Sequence, residues 1–228
     1  MNSRVENLNE IFDYYNERAF EYDEIYQGGA PGIPESAVYE KDVETIKVLS
    51  ASFGKGHLID VGCGTAYWLP YYASNCSEIT LFDQSRRMLA ECQKRVSHLN
   101  LDIDVHYVKG DFFEVRFLSK IFDSAVVAFL MSHLNEETSA VFFEKLRKIL
   151  RPGAGVLWID GSWSVIRKKY RNKSGLQERK LKSGNSFNIF KRYFDERDID
   201  SFLKRNSLTK IDSYFGDAFF AVNTYLRH

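Results

Sequence analysis

Residues 58–66 constrain the fold of this chain more than any other stretch. They read Leu-Ile-Asp-Val-Gly-Cys-Gly-Thr-Ala, so an apolar run ends at Asp60 and passes directly into a turn that contains Gly62 and Gly64. Glycine has no Cβ and tolerates a positive φ, so a strand that ends in such a turn brings main-chain atoms close to a ligand above the sheet edge. The stretch therefore predicts a strand, a ligand-binding turn and a following helix.

The residues after these glycines narrow the class of ligand. In the dinucleotide fingerprint G-x-G-x-x-G, the third glycine permits close packing of the helix on the strand. Counted from Gly62, this third place is Tyr67, whose ring would obstruct such packing. We therefore expect a nucleoside-containing ligand without a pyrophosphate, which disfavours a nicotinamide-dependent reductase.

From Gly54 onward, short β-rich runs alternate with amphipathic stretches, the pattern of a wound parallel sheet. The predicted strands are His57–Val61, Glu78–Phe82, Ile103–Val108, Ser124–Phe129, Gly155–Asp160, Leu208–Tyr214 and Ala218–Leu226. Only residues 215–217 join the last two, which makes them antiparallel, because a parallel crossover needs a dozen residues or more. The predicted fold is α/β, a Rossmann-like wound sheet of seven strands that is mostly parallel with an antiparallel C-terminal hairpin strand.

The N-terminal part of the chain predicts a helical cap on this sheet. Apolar and aromatic residues recur at spacings of three and four over residues 5–26, which indicates an amphipathic helix. A Gly/Pro-rich break follows at 27–34, and a second helix is predicted over roughly 35–52. Asn135 and Asp195 are predicted to cap two later helices.

Composition excludes several classes of protein. Hydrophobic residues make up 44% of the 228 residues and aromatic residues 15%, enough for a sizeable core and against global disorder. No apolar run approaches the length of a membrane span, and the polar, acidic start is unlike a secretory signal. Cys63, Cys76 and Cys92 lack the spacing of a zinc site or a disulfide framework, so we expect reduced thiols, a cytoplasmic protein and no metal.

Charge is balanced in total but unevenly distributed. Residues 1–50 carry eleven acids and four bases, whereas residues 167–182 carry eight bases and one acid. Both segments suit solvated surface. Two further interpretations stay open: the segments attract one another, or one of them steers a charged substrate.

Acidic residues follow the second and third predicted strands. Asp83 ends the second strand, where a carboxylate can accept hydrogen bonds from both hydroxyls of a ribose, although it also suits a helix cap. Asp111 and Phe112 follow the third strand. An acid with an adjacent aromatic ring suits an adenine, with the acid on the exocyclic amine and the ring as an apolar wall. Together with the glycine turn, these residues predict a nucleoside site.

At this point the chain resembles the class I S-adenosylmethionine-dependent methyltransferases. The resemblance extends over roughly residues 10–225. It rests on the glycine motif at 58–66, on Asp83 and on the Asp111–Phe112 pair. In addition, residues 122–129 are similar to the family's fourth strand, and residues 146–157 are similar to its later helix, turn and fifth strand. Ala66 stands where glycine is more usual, and we expect so small a residue to preserve cofactor binding.

The resemblance implies S-adenosylmethionine (SAM) as cofactor and S-adenosylhomocysteine (SAH) as product. It implies one methyltransferase domain, with an N-terminal helical cap (1–53), a cofactor-binding core (54–160), a variable acceptor-side segment (161–194) and a helix with the C-terminal hairpin (195–228). The cofactor-binding residues would be Asp60, Gly62, Cys63, Gly64, Asp83, Gln84, Met88, Asp111, Phe112 and Phe129. Residues 130–134 would line the methyl-transfer site.

The same resemblance places acceptor recognition outside the sheet. Tyr14 and Tyr22 belong to a Tyr-rich N-terminal segment similar to the lid of small-molecule members, and Trp163 lies in the acceptor-side segment. His133 follows the fourth strand and is our candidate catalytic residue, taking a proton from an acceptor oxygen or nitrogen. A histidine there could equally contact the substrate or cap the helix at Asn135.

We therefore expect an enzyme that transfers a methyl group to an O, N or C nucleophile of a small molecule. Bases and aromatic residues between 160 and 194 would also suit a nucleic acid strand, but a nucleic-acid enzyme usually carries a net basic face, and the total charge here is zero. An RNA or protein methyltransferase and a non-catalytic SAM-binding protein stay as alternatives.

Overall fold

The computed structural model describes residues 2–28 and 33–227. The helices are α1 (Asn2–Arg18), α2 (Ser36–Ala51), α3 (Leu69–Tyr72), α4 (Arg86–Ser97), α5 (Glu136–Ile149) and α6 (Glu196–Arg205). The strands are β1 (His57–Val61), β2 (Glu78–Asp83), β3 (Asp104–Lys109), β4 (Phe122–Ala128), β5 (Leu150–Gly161), β6 (Ser174–Lys180), β7 (Ser186–Arg192), β8 (Leu208–Phe215) and β9 (Phe219–Leu226). Among these residues, no helix is both long enough and apolar enough to cross a membrane.

Seven of the described strands form one twisted sheet in the order β3-β2-β1-β4-β5-β9-β8. Neighbours from β3 to β5 pair in parallel, and β9 is antiparallel to both β5 and β8. The predicted α/β sheet with an antiparallel C-terminal hairpin strand is confirmed. The strand order reverses between β1 and β4, and loops that diverge at such a point leave a crevice at the carboxyl ends of the strands.

The five strands between the edge strands β3 and β8 are buried on both faces, which explains their nearly continuous apolar runs. Successive residues of a strand point to opposite faces, so Leu58 packs into the core under α2, α3 and α4 while Ile59 packs into the core under α5 and α6. Asn135 caps α5 by accepting a hydrogen bond from Thr138 N at 2.9 Å, and Asp195 forms a capping box with Asp198 at the start of α6, as predicted.

The N-terminal segment is not the single continuous α-helix that the sequence pattern predicts. The helix predicted over 5–26 is α-helical only to Arg18 and continues as a 3₁₀ helix from Ala19 to Gln27. The 3₁₀ turn places Ala19, Tyr22 and Tyr26 in the core. Part of the predicted Gly/Pro-rich break, residues 29–32, lies outside the described residues.

The acceptor-side segment contains a second sheet that the sequence pattern did not predict. Strands β6 and β7 pair antiparallel as a separate hairpin, and α1 lies against β7. Their buried contact is formed by Ile11, Tyr14, Leu181 and Ile189. The usual sequence signal of a strand is an alternation of apolar and polar residues. This hairpin is rich in Lys, Arg, Gln and Asn, so that alternation is absent.

Candidate functional site

The glycine turn bends over the end of the neighbouring strand. The amides of Gly62 and Cys63 both donate to the carbonyl of Phe82, at 2.8 and 3.0 Å. Gly62 has a φ of 72° and Gly64 a φ of 55°, left-handed conformations that side chains rarely adopt. Ala66 takes the same conformation, at 56°. The turn therefore presents main chain to the crevice beside it, close to the side chains of Leu130 and Tyr22.

Asp83 ties this turn to the start of α4. Its Oδ2 accepts the amide of Gly64 at 2.9 Å, and its Oδ1 accepts the amide of Ser85 at 2.7 Å. Burial raises the pKa of Asp83 to about 6, so the carboxylate is mostly ionised at neutral pH. Each carboxylate oxygen has two lone pairs, so both can still accept a hydroxyl from a ligand.

Asp60 and Cys63, two of the expected cofactor-binding residues, lie behind the turn and not on the cavity wall. Tyr72 donates its hydroxyl to Asp60 Oδ2 at 2.6 Å, while Oδ1 is buried without a hydrogen-bond partner. Burial raises the pKa of Asp60 to about 7. Burial also holds the pKa of the Cys63 thiol well above its usual value, so this thiol is inert.

A cavity of about 1020 Å³, including its open mouth, lies at the carboxyl ends of β1 to β4. The other eight expected cofactor-binding residues line it: Gly62, Gly64, Asp83, Gln84, Met88, Asp111, Phe112 and Phe129. Leu130, His133 and Leu134 from the expected methyl-transfer segment line it as well. These expected residues are up to 72 positions apart, from Gly62 to Leu134, and one crevice gathers them.

An apolar wall with one acid at its rim forms the far side of this cavity. Phe112 is buried edge-to-face against Phe82, with ring centroids 5.7 Å apart, and Gly110 packs against the same Phe82 ring. The exposed carboxylate of Asp111 accepts the amide of Phe113 at 2.8 Å. This arrangement has the shape and polarity of a slot for a flat, partly polar ring.

Phe129 sits where β4 ends and has a left-handed backbone, with a φ of 56°. Such a conformation is an outlier for a bulky residue, and outliers of this kind concentrate at functional sites. Its amide is held by the carbonyl of Ile159 at 2.8 Å. The strained turn directs the chain so that Leu130 and His133 reach the cavity.

His133 is buried, and both of its ring nitrogens have partners. Nδ1 lies 2.9 Å from the carbonyl of Phe190, which can only accept, so Nδ1 carries the proton and Nε2 is free to accept. The hydroxyl of Tyr15 donates to Nε2. Burial, assisted by the cation of Lys191, lowers the pKa of His133 well below its usual value. Asn135 itself caps α5, so His133 has no capping role.

A second cavity, of about 580 Å³ including its opening, adjoins the first. Tyr15, Tyr22, Phe129 and His133 line both cavities. Expected acceptor residue Tyr14 lines only the second, where its hydroxyl accepts a hydrogen bond from Arg18. Tyr14 and Tyr22 are therefore brought together at this site.

Trp163, the third expected acceptor residue, is not brought to either cavity. It lines a separate surface hollow between α2 and the β8–β9 turn. Its ring stacks on Tyr193 with centroids 6.4 Å apart, and Tyr193 in turn lines the second cavity. Trp163 thus reaches the cavity only through a neighbour.

Several residues of the two cavities were not predicted as site residues, although Tyr15 belongs to the same Tyr-rich segment as Tyr14 and Tyr22. Ile11, Phe12 and Tyr15 lie on one face of α1, and Arg18, Arg167, Arg179 and Lys191 line the second cavity. The i, i+4 spacing of Ile11 and Tyr15 is a usable signal, but nothing in the sequence separates the inward-facing bases from their exposed neighbours. In the part of the chain that is described, no group of three or more His, Cys, Asp or Glu residues is placed to hold a metal.

The two oppositely charged segments do meet. Lys182 at the β6–β7 turn pairs with Glu24, and its amide lies 3.3 Å from Glu21 Oε2. Asn185 in the same turn donates to Glu17 at 2.8 Å. Among the described residues, Lys182 thus carries the attraction between the segments, which was one of the two open interpretations.

Comparison with known proteins agrees with this geometry. The methyltransferase-domain family model matches residues 58–153, which contain the glycine turn, Asp83, Asp111 and His133. No curated protein sequence matches the chain significantly.

Solved structures share the architecture at low sequence identity. DhpI in complex with SAM and HEP is 21% identical, with a TM-score of 0.73 over 96% of this chain and 97% of its own. A SAM-dependent methyltransferase from Clostridium acetobutylicum is 14% identical, with a TM-score of 0.62 over 94% of this chain and 99% of its own. The N-methyltransferase NodS from Bradyrhizobium japonicum, in complex with SAH, is 13% identical, with a TM-score of 0.58 over 83% of this chain and 87% of its own. Residues 58–153 thus match a methyltransferase domain, and the chain shares the fold of these solved SAM-dependent methyltransferase structures.

Proposed function

We propose that this protein is a SAM-dependent methyltransferase that acts on a small molecule. One observation carries the proposal: the cavity walled by the glycine turn and Asp83 adjoins a second cavity, and Tyr15 and His133 lie at their shared boundary. The first cavity suits the cofactor and the second suits the acceptor.

The residues of the first cavity fit SAM. The left-handed turn at Gly62 and Gly64 leaves room for an amino-acid tail, the Asp83 carboxylate suits a pair of sugar hydroxyls, and the Phe82–Phe112 wall with Asp111 suits an adenine. When bound, this cofactor supplies a methyl group on a sulfonium, which is already activated for transfer to a nucleophile. Structures of DhpI with SAM or SAH and of NodS with SAH support the same cofactor and product here.

With an activated donor, the main tasks left to the protein are alignment and exclusion of water. Good alignment of reacting groups is worth about 7–11 kcal/mol of the barrier. Helix α1 covers the boundary of the two cavities with Tyr15, and the 3₁₀ helix adds Tyr22. Hydrogen bonds of Asp23 with Thr65, at 2.6 Å, and with Arg95 fasten this cover to the glycine turn.

His133 is placed to take the proton that the acceptor loses. Its low pKa keeps it neutral at neutral pH, and the Phe190 carbonyl fixes the tautomer with Nε2 as acceptor. Tyr15 lies between Nε2 and the cavities, and burial keeps its pKa well above the usual range, so its hydroxyl stays protonated. An acceptor O–H or N–H that donates to the Tyr15 oxygen can therefore pass its proton on as Tyr15 donates to His133.

A small acceptor is favoured over a nucleic acid or a protein. Residues of α1 and of the β6–β7 hairpin both line the second cavity and pack against each other, which suits a compact acceptor better than a polymer. Among the aromatic residues that would suit base stacking, Tyr193 and Phe187 are used in packing, with Phe187 edge-to-face on Tyr14. DhpI, with HEP, and NodS, an N-methyltransferase, are the neighbours consistent with this class.

We also propose that the whole chain works as one domain with the four segments given above, and that it is cytoplasmic. The three cysteines are free and buried, which suits a reducing compartment.

Two measurements test the proposed function. Calorimetric titration with SAH is expected to show stoichiometric binding, and incubation with methyl-labelled SAM and a metabolite extract is expected to label a small product. Label found only in RNA or protein would overturn the acceptor class. Binding of SAH without transfer to any extract would support a cofactor-binding protein without catalysis, and absence of SAH binding would overturn the whole assignment.

A further inference from the structure

The second cavity has a strongly one-sided charge. Arg18, Arg167, Arg179 and Lys191 line it, and none of its lining residues in the described chain is an Asp or Glu. Arg167 and Arg179 are buried, and the Lys191 side chain is 12% exposed. Buried cations cost several kcal/mol each unless a counter-charge accompanies them, so this set needs an explanation.

Among the described residues, no carboxylate lies within salt-bridge distance of the three arginines. Arg167 donates to the carbonyls of Ser162 and Ala218, at 2.6 and 2.5 Å. Arg179 donates to Gln177 Oε1 at 2.6 Å and lies 3.5 Å from the hydroxyl of Tyr193. Arg18 donates to the hydroxyl of Tyr14. Carbonyl, amide and phenol oxygens satisfy hydrogen bonds but carry no net charge.

Lys191, unlike the arginines, has a carboxylate nearby, but it shares this carboxylate with backbone amides. Its Nζ lies 3.4 Å from Asp160 Oδ1 and donates to Ser132 Oγ. The carboxylate of Asp160 also accepts the amides of Ser132 and Gly161, at 3.0 and 2.8 Å, so it serves the backbone as well. In the described part of the chain, Asp160 is thus the carboxylate within salt-bridge distance of any of the four cations, and it lies beside the cavity.

The pKa of Tyr193, on the wall of the second cavity, reflects the positive electrostatic potential of the nearby cations. Burial by itself raises the pKa of its phenol, yet the nearby Arg167, Lys191, Arg179 and Arg171 outweigh burial and lower this pKa below the usual value. The guanidinium of Arg167 lies over the ring, 4.4 Å from its centroid. A phenolate, an oxyanion, is thus stabilised at this position.

We infer that the acceptor is a small molecule with a compact oxyanion, a carboxylate or a phosphoryl group, which the cavity holds among Arg18, Arg167, Arg179 and Lys191. The forked donors of arginine match both kinds of oxyanion. The acceptor's nucleophilic atom then lies at the wall shared with the first cavity, beside Tyr15 and His133. The inference rests on the proposed function, because it names the acceptor class of that same site.

The test uses the protein saturated with SAH and a panel of charged probes with neutral isosteres. The charged probes are inorganic phosphate, methylphosphonate, acetate and malonate, and the neutral ones are acetamide, malonamide and dimethyl methylphosphonate. At constant ionic strength, calorimetry is expected to show binding of charged members and none of their neutral isosteres. Comparing the carboxylates with the phosphoryl compounds then decides which oxyanion the cavity prefers.

Substitutions test whether the named cations are the groups that bind the charged probes. Arg179→Gln and Arg18→Gln are each expected to weaken binding of the preferred probe at least tenfold, with SAH affinity unchanged and with circular dichroism confirming the fold. Arg179→Lys should restore part of the loss. Lys180→Gln is the control, because Lys180 is an exposed neighbour on β6.

Equal binding of charged and neutral probes, no binding of any charged probe, or unchanged binding in both Gln variants would overturn the inference. Any of these results with intact SAH binding leaves the proposed methyl transfer standing. Loss of SAH binding in the unmodified protein would instead remove the proposed function, so the two failures are distinguishable.

Discussion

Tyr15 donates a hydrogen bond to Nε2 of His133 across 118 positions of sequence. The Phe190 carbonyl fixes the opposite nitrogen, and the two rings meet edge-to-face with centroids 5.1 Å apart. This pair links helix α1 to the loop after β4 at the boundary of the two cavities. One contact therefore contributes both to closure of the N-terminal cap and to placement of the candidate base.

Removing the Tyr15 hydroxyl tests this pair. Tyr15→Phe is expected to lower kcat about tenfold to a hundredfold, and His133→Ala about a hundredfold or more, within the range for proton-transfer catalysis. SAH affinity should change little in either variant. The double variant should be no slower than His133→Ala alone, since the two residues act in series. Multiplicative losses in steady-state kinetics would contradict a shared proton route.

The pH profile of the same reaction gives a separate prediction. Because the pKa of His133 is well below its usual value, the base stays neutral, and kcat at saturating cofactor should hold its plateau below pH 6.5. The rate should fall only where His133 becomes protonated. A kcat profile that declines from pH 7 downward, as for an unperturbed histidine, would argue against His133 as the base.

Asp83 is expected to dominate recognition of the cofactor sugar. Asp83→Ala should weaken SAH binding by about 1–3 kcal/mol, the scale for hydrogen bonds to a charged group. Since the pKa of Asp83 is about 6 and its ionised form accepts the ligand hydroxyls, wild-type affinity should decrease as the pH falls through 6. Calorimetry measures both effects. Asp104→Asn, an exposed acid on β3, serves as the control and should bind normally.

The raised pKa of Asp60 predicts that the stability of the folded protein depends on pH. Its pKa is raised from 3.8 in the unfolded chain to about 7 in the folded protein, so between these values only the folded state holds the proton. Stability contributed by the protonated form is complete below pH 4 and is lost as the pH rises through 7, at up to about 1.4 kcal/mol per pH unit. Asp60→Asn removes this proton, so urea unfolding between pH 4.5 and 7.5 should show a flatter slope than wild type. An identical slope in both proteins would exclude Asp60 as its source.

Asp42 anchors α2 to the C-terminal hairpin. Its buried carboxylate accepts the amides of Ala218 and Phe219, at 2.7 and 2.9 Å, and the hydroxyl of Tyr214 at 2.7 Å. Asp42→Ala leaves these donors without an acceptor and should destabilise the protein by about 3 kcal/mol or more. Denaturant unfolding measures this. Glu40→Ala, an exposed neighbour on α2, should stay within about 0.5 kcal/mol of wild type.

The arrangement of the sheet could be predicted because its signals are local. Alternating strands and helices, the glycines after β1 and the three-residue link before β9 each depend on residues close in sequence. Acids at the ends of β2 and β3 could then be assigned to one site, because the carboxyl ends of parallel strands meet at one edge. For the same reason, eight of the ten expected cofactor-binding residues lie on one cavity wall.

The exceptions show where local signals end. Asp60 and Cys63 belong to the glycine motif, yet the turn that exposes its glycines directs these two side chains into the protein. The hairpin of β6 and β7 was missed because its exposed face is charged and its inner face carries Arg179 and Lys191 among apolar residues. Trp163 was expected at the acceptor site and instead lines a hollow on another surface.

The sequence by itself determined which chemical group follows each of the first four strands. These groups are, in order, a glycine-containing turn, an acid suited to hydroxyl groups, an acid beside an aromatic ring, and a histidine. Only the tertiary structure decided which of the many bases face inward and that Tyr15 meets His133. The physical reason is that burial and pairing across more than a hundred positions depend on how whole elements pack, and no pattern within one element records it.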